Sequence, residues 1–369
     1  MPAARPRTRR PRRTSLHRRP PQPRRSDAAV SAVDAVDAVD AAQTAARPAP
    51  VRAPRRALHG VLLLDKPLGW SSNDALQKAR GLLRAQKGGH TGTLDPLATG
   101  LLPLCFGAAT KFSQASLDAD KRYRATLRLG QRTSTGDLEG AVLEERPVPA
   151  LDRAAIAAAC ARFTGRIAQK PPMHSALKHQ GRALYDYARA GIEIERPTRE
   201  VEIHRIDLVD WQSPQLVLDV HCSKGTYIRT LAEDLGAALG CGAHLAALRR
   251  TGVGRLGVGQ ALTIEQLQAL DEAGRAARLL PPDVLLQAWP ALHLPGDEAG
   301  RFLTGLRRRV ALPDAPAVRV YGSEPRAFLG AAHIAGGELI PDRLLSPIEV
   351  QALMGAVPPA PEARTAPTA

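Results

Sequence analysis

The sequence predicts a first domain that mixes helices and strands, followed by a small β-rich second domain. Its 369 residues are enough for two domains and a sizeable core. Before about residue 285, short apolar runs bounded by turn residues alternate with segments whose apolar residues recur at helical spacing. Past about Pro290, short apolar stretches are separated by glycine and proline, a pattern typical of strands.

The net charge of +15 is concentrated at the start of the chain. Residues 1–56 hold 14 Arg against 4 Asp, which supplies +10 of that charge. Their arginine clusters, prolines and repeated Ala-Val-Asp run predict a disordered segment, and we expect a second disordered tail at 351–369. The first segment is interpreted either as a basic arm that gathers nucleic acid or as an extension without a role, such as a wrongly chosen start codon would add.

Cysteine usage and the lack of long apolar runs indicate where the protein works. Its four cysteines are isolated, with no CxxC pair and no histidine at metal-ligand spacing, which predicts a reducing compartment, no disulfide framework and no structural zinc. Apolar runs such as 60–64 are far shorter than the ~20 residues of a membrane span. The arginine-rich start has no apolar segment of the secretory type. We therefore expect a soluble cytoplasmic protein.

The first predicted elements lead to residue 90. Residues 60–65 form a short apolar run that predicts a buried strand. Ser71 or Ser72 can cap the helix that follows, which carries Leu76, Ala79 and Leu83 at helical spacing. Two glycines, 88 and 89, end this segment.

Residues 90–100 hold one carboxylate, Asp95, in a loop of small and rigid residues. Pro96 restrains Asp95 toward extended backbone, and Gly92 and Gly100 permit sharp turns or the close approach of another backbone. The simpler interpretation is that Asp95 caps a helix with Pro96 at its first position.

Residues 122–130 alternate strictly between polar and apolar side chains, which predicts a half-buried strand. Its apolar face begins with Tyr123. The opposite face is rich in arginine, as in a solvated surface or a phosphate contact.

Further elements follow in order. Composition predicts helices at 151–163 and 184–190 and a strand at 216–222 that runs into another helix. Tyr227 and Arg229 lie at this strand-to-helix junction, where backbone N–H groups and the helix dipole favour an anion. Residues 241–252 are interpreted as a helix-breaking basic segment, and Thr263 with Gln266 predicts a capping box.

Five strings, in this order and spacing, resemble the TruB family of bacterial tRNA pseudouridine-55 synthases. They are GVLLLDKP at 60–67, HTGTLDPLATG at 90–100, DKRYR at 120–124, CSKGTYIRT at 222–230 and GCGAHL at 240–245. The resemblance covers residues 58–350. It implies an α+β pseudouridine synthase fold: a mixed β-sheet with flanking helices and a central cleft at 57–285, then a small β-rich RNA-binding domain similar to the PUA module at 286–350.

The resemblance also implies the site residues. The nucleophile falls on Asp95 and the arginine that pairs with it on Arg229. The positions that contact the uridine fall on His90, Tyr123, Tyr227 and Leu248, and Tyr227 is the candidate for proton handling. One departure is His174, which stands where the family often has tyrosine.

The implied reaction converts uridine 55 of the tRNA T-arm into pseudouridine. It breaks a C–N glycosidic bond and forms a C–C bond to the same base, so it requires no metal or cofactor. An aspartate suits the nucleophile, and the uridine must be flipped out of the folded tRNA. Attack on C1′, attack on C6 and abstraction of a 2′-proton all stay open. We expect a monomer without an obligate protein partner.

Three other functions would account for some of the same features. A guide-RNA-dependent pseudouridine synthase shares the aspartate loop, but the chain fits the stand-alone bacterial type better. A glycoside hydrolase would need two carboxylates flanking the bond, and no second acid accompanies Asp95 in the loop. A non-catalytic tRNA-folding or RNA-binding protein would explain the basic faces but not the combination of Asp95, Tyr227 and Arg229.

Overall fold

The computed structural model describes residues 54–323 and 326–355. Of the extension expected at 1–56, residues 1–53 lie outside the described ranges. Of the tail expected at 351–369, residues 356–369 lie outside them. The strands are β1 Gly60–Lys66, β2 Gly88–His90, β3 Ala98–Phe106, β4 Lys121–Leu129, β5 Gln131–Thr133, β6 Val142–Glu145, β7 Gly165–Gln169, β8 Lys178–His179, β9 Arg182–Ala183, β10 Arg199–Gln212, β11 Gln215–Cys222, β12 Ala243–Val253, β13 Leu256–Gly257, β14 Ala291–Leu294, β15 Arg308–Arg309, β16 Ala315–Gly322, β17 Ala327–Ala335 and β18 Glu338–Leu344.

The helices flank these strands and are mostly short. They are α1 Ser72–Leu83, α2 Ser113–Asp118, α3 Arg153–Ala161, α4 Leu184–Arg189, α5 Ile228–Ala238, α6 Ile264–Ala269, α7 Glu272–Ala276, α8 Gly296–Leu303 and α9 Pro347–Gly355, with 3₁₀ turns at Gly107–Phe112, Val258–Gln260 and Pro282–Leu286. None of the helices in the described ranges has the length and apolar character required to cross a membrane.

A mixed sheet of nine strands forms the centre of the first domain. Its main path runs β1-β3-β12-β4-β11-β10-β7, with β2 beside β3 and β13 beside β12. The β3–β12 pair is parallel and the other pairs along the path are antiparallel. Because β3 begins beside the middle of β12, Leu248 lies opposite Ala98, three residues after Asp95.

The capping and alternation signals in the sequence are confirmed. Ser71 caps α1, and its hydroxyl and backbone pair reciprocally with Asp74 in a capping box. A second capping box joins Thr263 and Gln266 at the start of α6. In β4, Ala125 and the other apolar members of the alternating face are buried or half-buried, while the arginines point outward.

The helix-breaking segment predicted at 241–252 follows the end of α5 at Ala238, and the sequence did not predict that it forms a strand. Most of this segment is β12, a central strand of the sheet between β3 and β4. Two register shifts interrupt its pairing with β4, between Leu245 and Ala247 and between Arg250 and Gly252. These irregularities blur the period of two, so the strand does not show regular alternation in the sequence.

Hydrophobic clusters occupy both faces of the sheet and continue into the second domain. One packs α1 and α6 against β1 and β3, and another packs α3 and α5 against β4, β11 and β12. A third cluster includes Val61 and Leu101 of the first sheet together with Phe302 and Val320 of the second domain. The two predicted domains therefore share part of their core.

The β-rich second domain is confirmed as a five-stranded sheet in the order β14-β16-β17-β18-β15. The final helix, α9, continues to Gly355, beyond the boundary expected at 350. Lys111 donates to the carboxylate of Glu349 at 2.6 Å and to the carbonyl of Leu344 at 2.9 Å. This ion pair joins the first domain to the start of α9.

Candidate active site

The Asp95 loop lies between β2 and β3 and contains no helix. Residues 96–97 form a turn, and β3 begins directly after it at Ala98. The interpretation of Asp95 as a helix cap is therefore wrong. The predicted close approach of a second backbone is found at Gly100, where an added Cβ would lie 2.3 Å from the carbonyl oxygen of Arg250.

Side chains from β1 and α1 hold the Asp95 loop in place through hydrogen bonds to its backbone. The Ser72 hydroxyl accepts from the Leu94 N–H at 2.7 Å and donates to the Leu94 carbonyl at 3.0 Å. Lys66 is fully buried and donates to the carbonyls of Trp70 at 2.6 Å and Pro96 at 3.5 Å. Burial lowers the pKa of Lys66 to about 8, while the negative charge of Asp95 opposes this shift. The loop backbone is held on both sides of the carboxylate.

Arg229, in the first turn of α5, contacts Asp95 across the cleft. Its Nη2 lies 3.0 Å from Oδ2 of Asp95, and its Nη1 lies 3.5 Å from Oδ2 of Asp137. The same guanidinium donates to the carbonyls of Thr135 at 3.1 Å and His174 at 2.5 Å. Because the side chain is 7% exposed, these four partners hold it in one position.

The presence of histidine at position 174, where the family often has tyrosine, does not remove the hydrogen bond from Arg229. The group of His174 that accepts from Arg229 is its backbone carbonyl. A backbone acceptor is available for any residue type, so the exchange of tyrosine for histidine leaves the bond in place.

Tyr227 precedes α5 and is held through its backbone. The side-chain amide of Gln169, itself buried, accepts from the Tyr227 N–H at 2.8 Å and donates to the Tyr227 carbonyl at 3.1 Å. Burial raises the pKa of the Tyr227 phenol, with Arg199 and Arg229 opposing the shift. The phenol therefore keeps its proton at neutral pH and is available as a hydrogen-bond donor.

A cavity of about 380 Å³ joins these groups. Asp95, Tyr227 and Arg229 line one part of it, and Tyr123 and Leu248 line another. This volume lies in the range of small-ligand sites and suits a nucleoside. Burial raises the pKa of Tyr123, so this ring also stays neutral and can offer a face for stacking.

The structure brings together all but one of the six predicted site residues along this cavity. The exception is His90, which ends β2 opposite Leu104 and does not line the cavity. Burial lowers the pKa of His90, with the positive charge of Arg250 adding to the effect. The imidazole is therefore neutral at physiological pH.

Family models match nearly the whole described chain. The TruB family pseudouridylate synthase N-terminal domain matches residues 80–228, and the tRNA pseudouridylate synthase B C-terminal domain matches residues 229–287. The model named pseudouridine synthase II TruB, C-terminal, matches residues 290–345.

The chain belongs to the TruB family. Curated relatives agree with this assignment. A tRNA pseudouridine synthase B of Verminephrobacter eiseniae is 59% identical over 313 residues, which is 83% of this chain and 95% of that protein. Another from Cupriavidus pinatubonensis is 58% identical over 311 residues, covering 82% of this chain and 98% of that protein.

Solved structures share the fold at low sequence identity. An archaeal box H/ACA sRNP Nop10–Cbf5 complex contains a chain with a TM-score of 0.60 and 21% identity, covering 78% of this chain and 86% of that one. A chain of a Cbf5–Nop10–Gar1 complex gives a TM-score of 0.63 at 22% identity, covering 80% of this chain and 87% of that one. This likeness confirms the pseudouridine synthase fold.

The TruB site contains residues that the sequence reasoning missed. Asp137 is buried and receives hydrogen bonds from the Thr135 hydroxyl at 2.5 Å and the Glu139 N–H at 3.1 Å. Arg250 is also buried and donates to the carbonyls of Leu101 at 2.7 Å and Gly92 at 3.2 Å. Neither residue lies in a sequence motif that indicates a functional site. Their contacts with Arg229, Leu101 and Gly92 join segments that are far apart in the sequence.

Proposed function

We propose that this chain isomerises uridine 55 in the T-loop of tRNA to pseudouridine, with Asp95 as the nucleophile. The observation that carries the proposal is the contact of Asp95 with the buried Arg229 at the edge of a nucleoside-sized cavity. Membership of the TruB family supports the reaction type, and the relatives named tRNA pseudouridine synthase B support tRNA as the substrate.

Flipping the uridine out of the tRNA costs a few kcal/mol. In this proposal the Tyr123 ring stacks on the extruded base and returns roughly 1–3 kcal/mol, while Leu248 packs beside it. Both side chains line the cavity that would receive the base. His90, two residues before the cavity-lining Gly92, is assigned to take the place of the extruded base in the tRNA stack.

In the simplest route the Asp95 carboxylate attacks C1′, so that a C–O bond forms as the C1′–N1 bond breaks and leaves its electron pair on the base. The freed base turns within the cavity, and its C5 bonds to C1′ and displaces the carboxylate. Attack on C6 and abstraction of a 2′-proton stay open as alternative first steps. Arg229 keeps the carboxylate aimed at the base. Tyr227 handles protons at the base edge. Because its phenol is protonated in the resting site, it donates to the uracil first and can accept the C5 proton only after passing its own proton on.

The β-rich second domain is assigned to tRNA binding as a PUA-like module. The domain limits that we propose are 57–285 for catalysis and 286–350 for this module. Glu349 of α9 pairs with Lys111 of the catalytic domain. The chain is proposed to act as a monomer in the cytoplasm without a protein partner.

The test uses an unmodified tRNA transcript and a chemical label for pseudouridine. We expect label at position 55 with the natural transcript and none when uridine 55 is replaced by cytidine. Asp95→Asn should bind the transcript normally and lose turnover, because the amide keeps the shape but not the nucleophile. Label at another uridine would refute the assignment of position 55, and normal turnover by Asp95→Asn would refute its role.

A further inference from the structure

Outside the cavity, two histidines and an aspartate bring their ligand atoms together on the outward face of the first sheet. Nε2 of His204 lies 3.2 Å from Oδ2 of Asp120, and Nε2 of His221 lies 3.9 Å from the same oxygen. The ligand atoms of the three side chains all lie within 4.8 Å of one another. Imidazole nitrogens and a carboxylate are the ligands of many zinc and related transition-metal sites.

A β-bulge creates this arrangement. His221 in β11 pairs directly with Arg205 in β10, and the next pair is Cys222 with Ile203, so His204 is the extra residue between them. His204 and Arg205 are both exposed, although successive strand residues normally face opposite sides of a sheet. A bulge re-aims side chains, and here it directs His204 toward the carboxylate that His221 also faces.

Asp120 is held in place by its neighbours in the chain. It immediately precedes β4, whose first residue, Lys121, pairs with Cys222. Its backbone carbonyl accepts from the Gly254 N–H at 2.8 Å. The three candidate ligands therefore stand on backbone segments that the sheet fixes relative to one another, which favours a metal site of defined geometry.

Charged side chains around the three candidate ligands both favour and oppose a cation. Oε1 of Glu202 lies 3.8 Å from Nδ1 of His204, on the ring nitrogen that a metal at Nε2 would leave free, and such carboxylates orient metal-binding imidazoles. Arg122 opposes a cation, but its guanidinium donates to the carbonyls of Gly254 at 3.3 Å and Leu256 at 3.2 Å. Arg205, the residue after His204, is paired with Asp207 and so is also directed elsewhere.

We propose that Asp120, His204 and His221 bind one divalent transition-metal ion of the zinc class. Ligand atoms around a tetrahedral zinc ion are ~3.3 Å apart, given Zn–N and Zn–O bonds of about 2.0–2.2 Å. The His204–Asp120 distance already matches this spacing, and the His221–Asp120 distance must shorten by about 0.6 Å. The ligand nitrogens of the two histidines lie within 4.8 Å of each other, and they too must approach this spacing. Water would occupy the remaining position on the solvent side.

A bound ion would link β10, β11 and the start of β4. Lys121 and Ser223, close in sequence to Asp120 and His221, line the catalytic cavity. The ion would therefore brace the strands that carry one cavity wall, without taking part in the reaction. This inference departs from the sequence-based expectation of no metal site, because the ligands lie on three segments that only the sheet brings together.

The test measures metal binding directly, on the full chain without a polyhistidine tag and after dialysis against a chelator. We expect Co²⁺ to bind with one equivalent per chain and to give visible absorption bands of a low-symmetry site. Zn²⁺ should abolish these bands, whereas a large excess of Mg²⁺ should not, because magnesium prefers oxygen ligands. Zn²⁺ should also raise the thermal unfolding midpoint by binding only the folded chain.

Four variants and one matched control identify the ligands. His204→Ala, His221→Ala and Asp120→Asn should each weaken Zn²⁺ binding by more than about tenfold, and Glu202→Gln by about tenfold. His333→Ala is the control, since His333 pairs with a single carboxylate, Asp342, at 2.9 Å on the second sheet. Its Zn²⁺ binding should equal that of the unchanged chain.

The unfolding midpoints of the metal-free variants show that each one folds. The proposal is overturned if the unchanged chain gives no Co²⁺ bands, or if binding survives all three ligand substitutions. It is equally overturned if His333→Ala loses as much affinity as His204→Ala, because binding would then reflect scattered surface histidines.

Discussion

Arg229 contacts Asp95 through one nitrogen, Nη2, at 3.0 Å from Oδ2. The second nitrogen, Nη1, lies 3.5 Å from Asp137, so the guanidinium spans two carboxylates. Asp137 is buried, whereas the Asp95 side chain is 45% exposed toward the cavity. Arg229 is thus anchored by the buried Asp137 on one side and contacts the half-exposed Asp95 on the other.

Replacement of Arg229 should slow catalysis more than it weakens tRNA binding. We expect Arg229→Ala and Arg229→Lys each to lower the single-turnover rate by at least about tenfold, which corresponds to ~1.4 kcal/mol. Lysine keeps the charge but cannot span both carboxylates and two carbonyls with a planar group. Single-turnover rates and binding constants for both variants test this expectation.

The double variant supplies the control. Arg229→Ala combined with Asp95→Asn should cost little beyond Asp95→Asn alone, because residues that act as one unit are non-additive. If Arg229→Ala instead weakens binding strongly while bound tRNA reacts at the normal rate, Arg229 is a phosphate contact.

Asp137→Asn should lower the single-turnover rate through Arg229. The amide keeps the acceptor for the Thr135 hydroxyl and the Glu139 N–H but removes the charge that faces Nη1. We expect a loss of about tenfold with tRNA binding unchanged. Asp219→Asn is the matched control, because Asp219 also pairs with an arginine, Arg124, at 2.8 Å but on an exposed face. Equal losses in both variants would contradict a specific role for Asp137.

Removal of residues 1–53 should leave turnover at saturating tRNA unchanged and at most flatten the salt dependence of binding. Arginine contacts to phosphate release counterions and carry no sequence information. The deletion should stop before Arg56, whose N–H donates to the Arg84 carbonyl at 2.6 Å and whose side chain pairs with Glu272 at 2.9 Å. Turnover measured across a salt series decides this, and a collapse at saturation would show a catalytic role.

Much of the fold could be predicted from local signals. Ser71 capping α1 and Thr263 with Gln266 capping α6 depend on residues three positions apart. The alternation of β4 likewise appears within nine residues. Each of these patterns expresses a short-range rule, so the sequence displays it directly.

The features that the sequence did not predict depend on long-range contacts. The sequence around Arg250 does not read as a central strand, since β12 contains two register shifts and buries an arginine whose partners, Gly92 and Leu101, lie in another segment. The anchoring of Arg229 by Asp137 requires the loop after β5 to meet the start of α5. The family resemblance implied roles for Asp95 and Arg229, but it did not supply this supporting contact.

Lys66 should make stability depend on alkaline pH. Burial lowers its pKa to about 8 in the folded chain, whereas an unfolded lysine has a pKa of about 10.4. Between these values the unfolded chain binds more protons, so the free energy of unfolding should rise with pH, by at most about 1.4 kcal/mol per pH unit for this group. Below about pH 8 both states are protonated, and its contribution is constant.

Lys66→Met should remove this part of the slope. Lys121, whose pKa burial also lowers to about 8, contributes with the same sign, so the unchanged chain and the variant must be compared at each pH. Loss of the hydrogen bonds to Trp70 and Pro96 will shift the variant at all pH values alike, and only the difference in slope is diagnostic. Lys87→Met, at an exposed position, is the control and should retain the slope. Denaturant unfolding from pH 7 to pH 10.5 measures it, and parallel curves for the unchanged chain and Lys66→Met would contradict the lowered pKa.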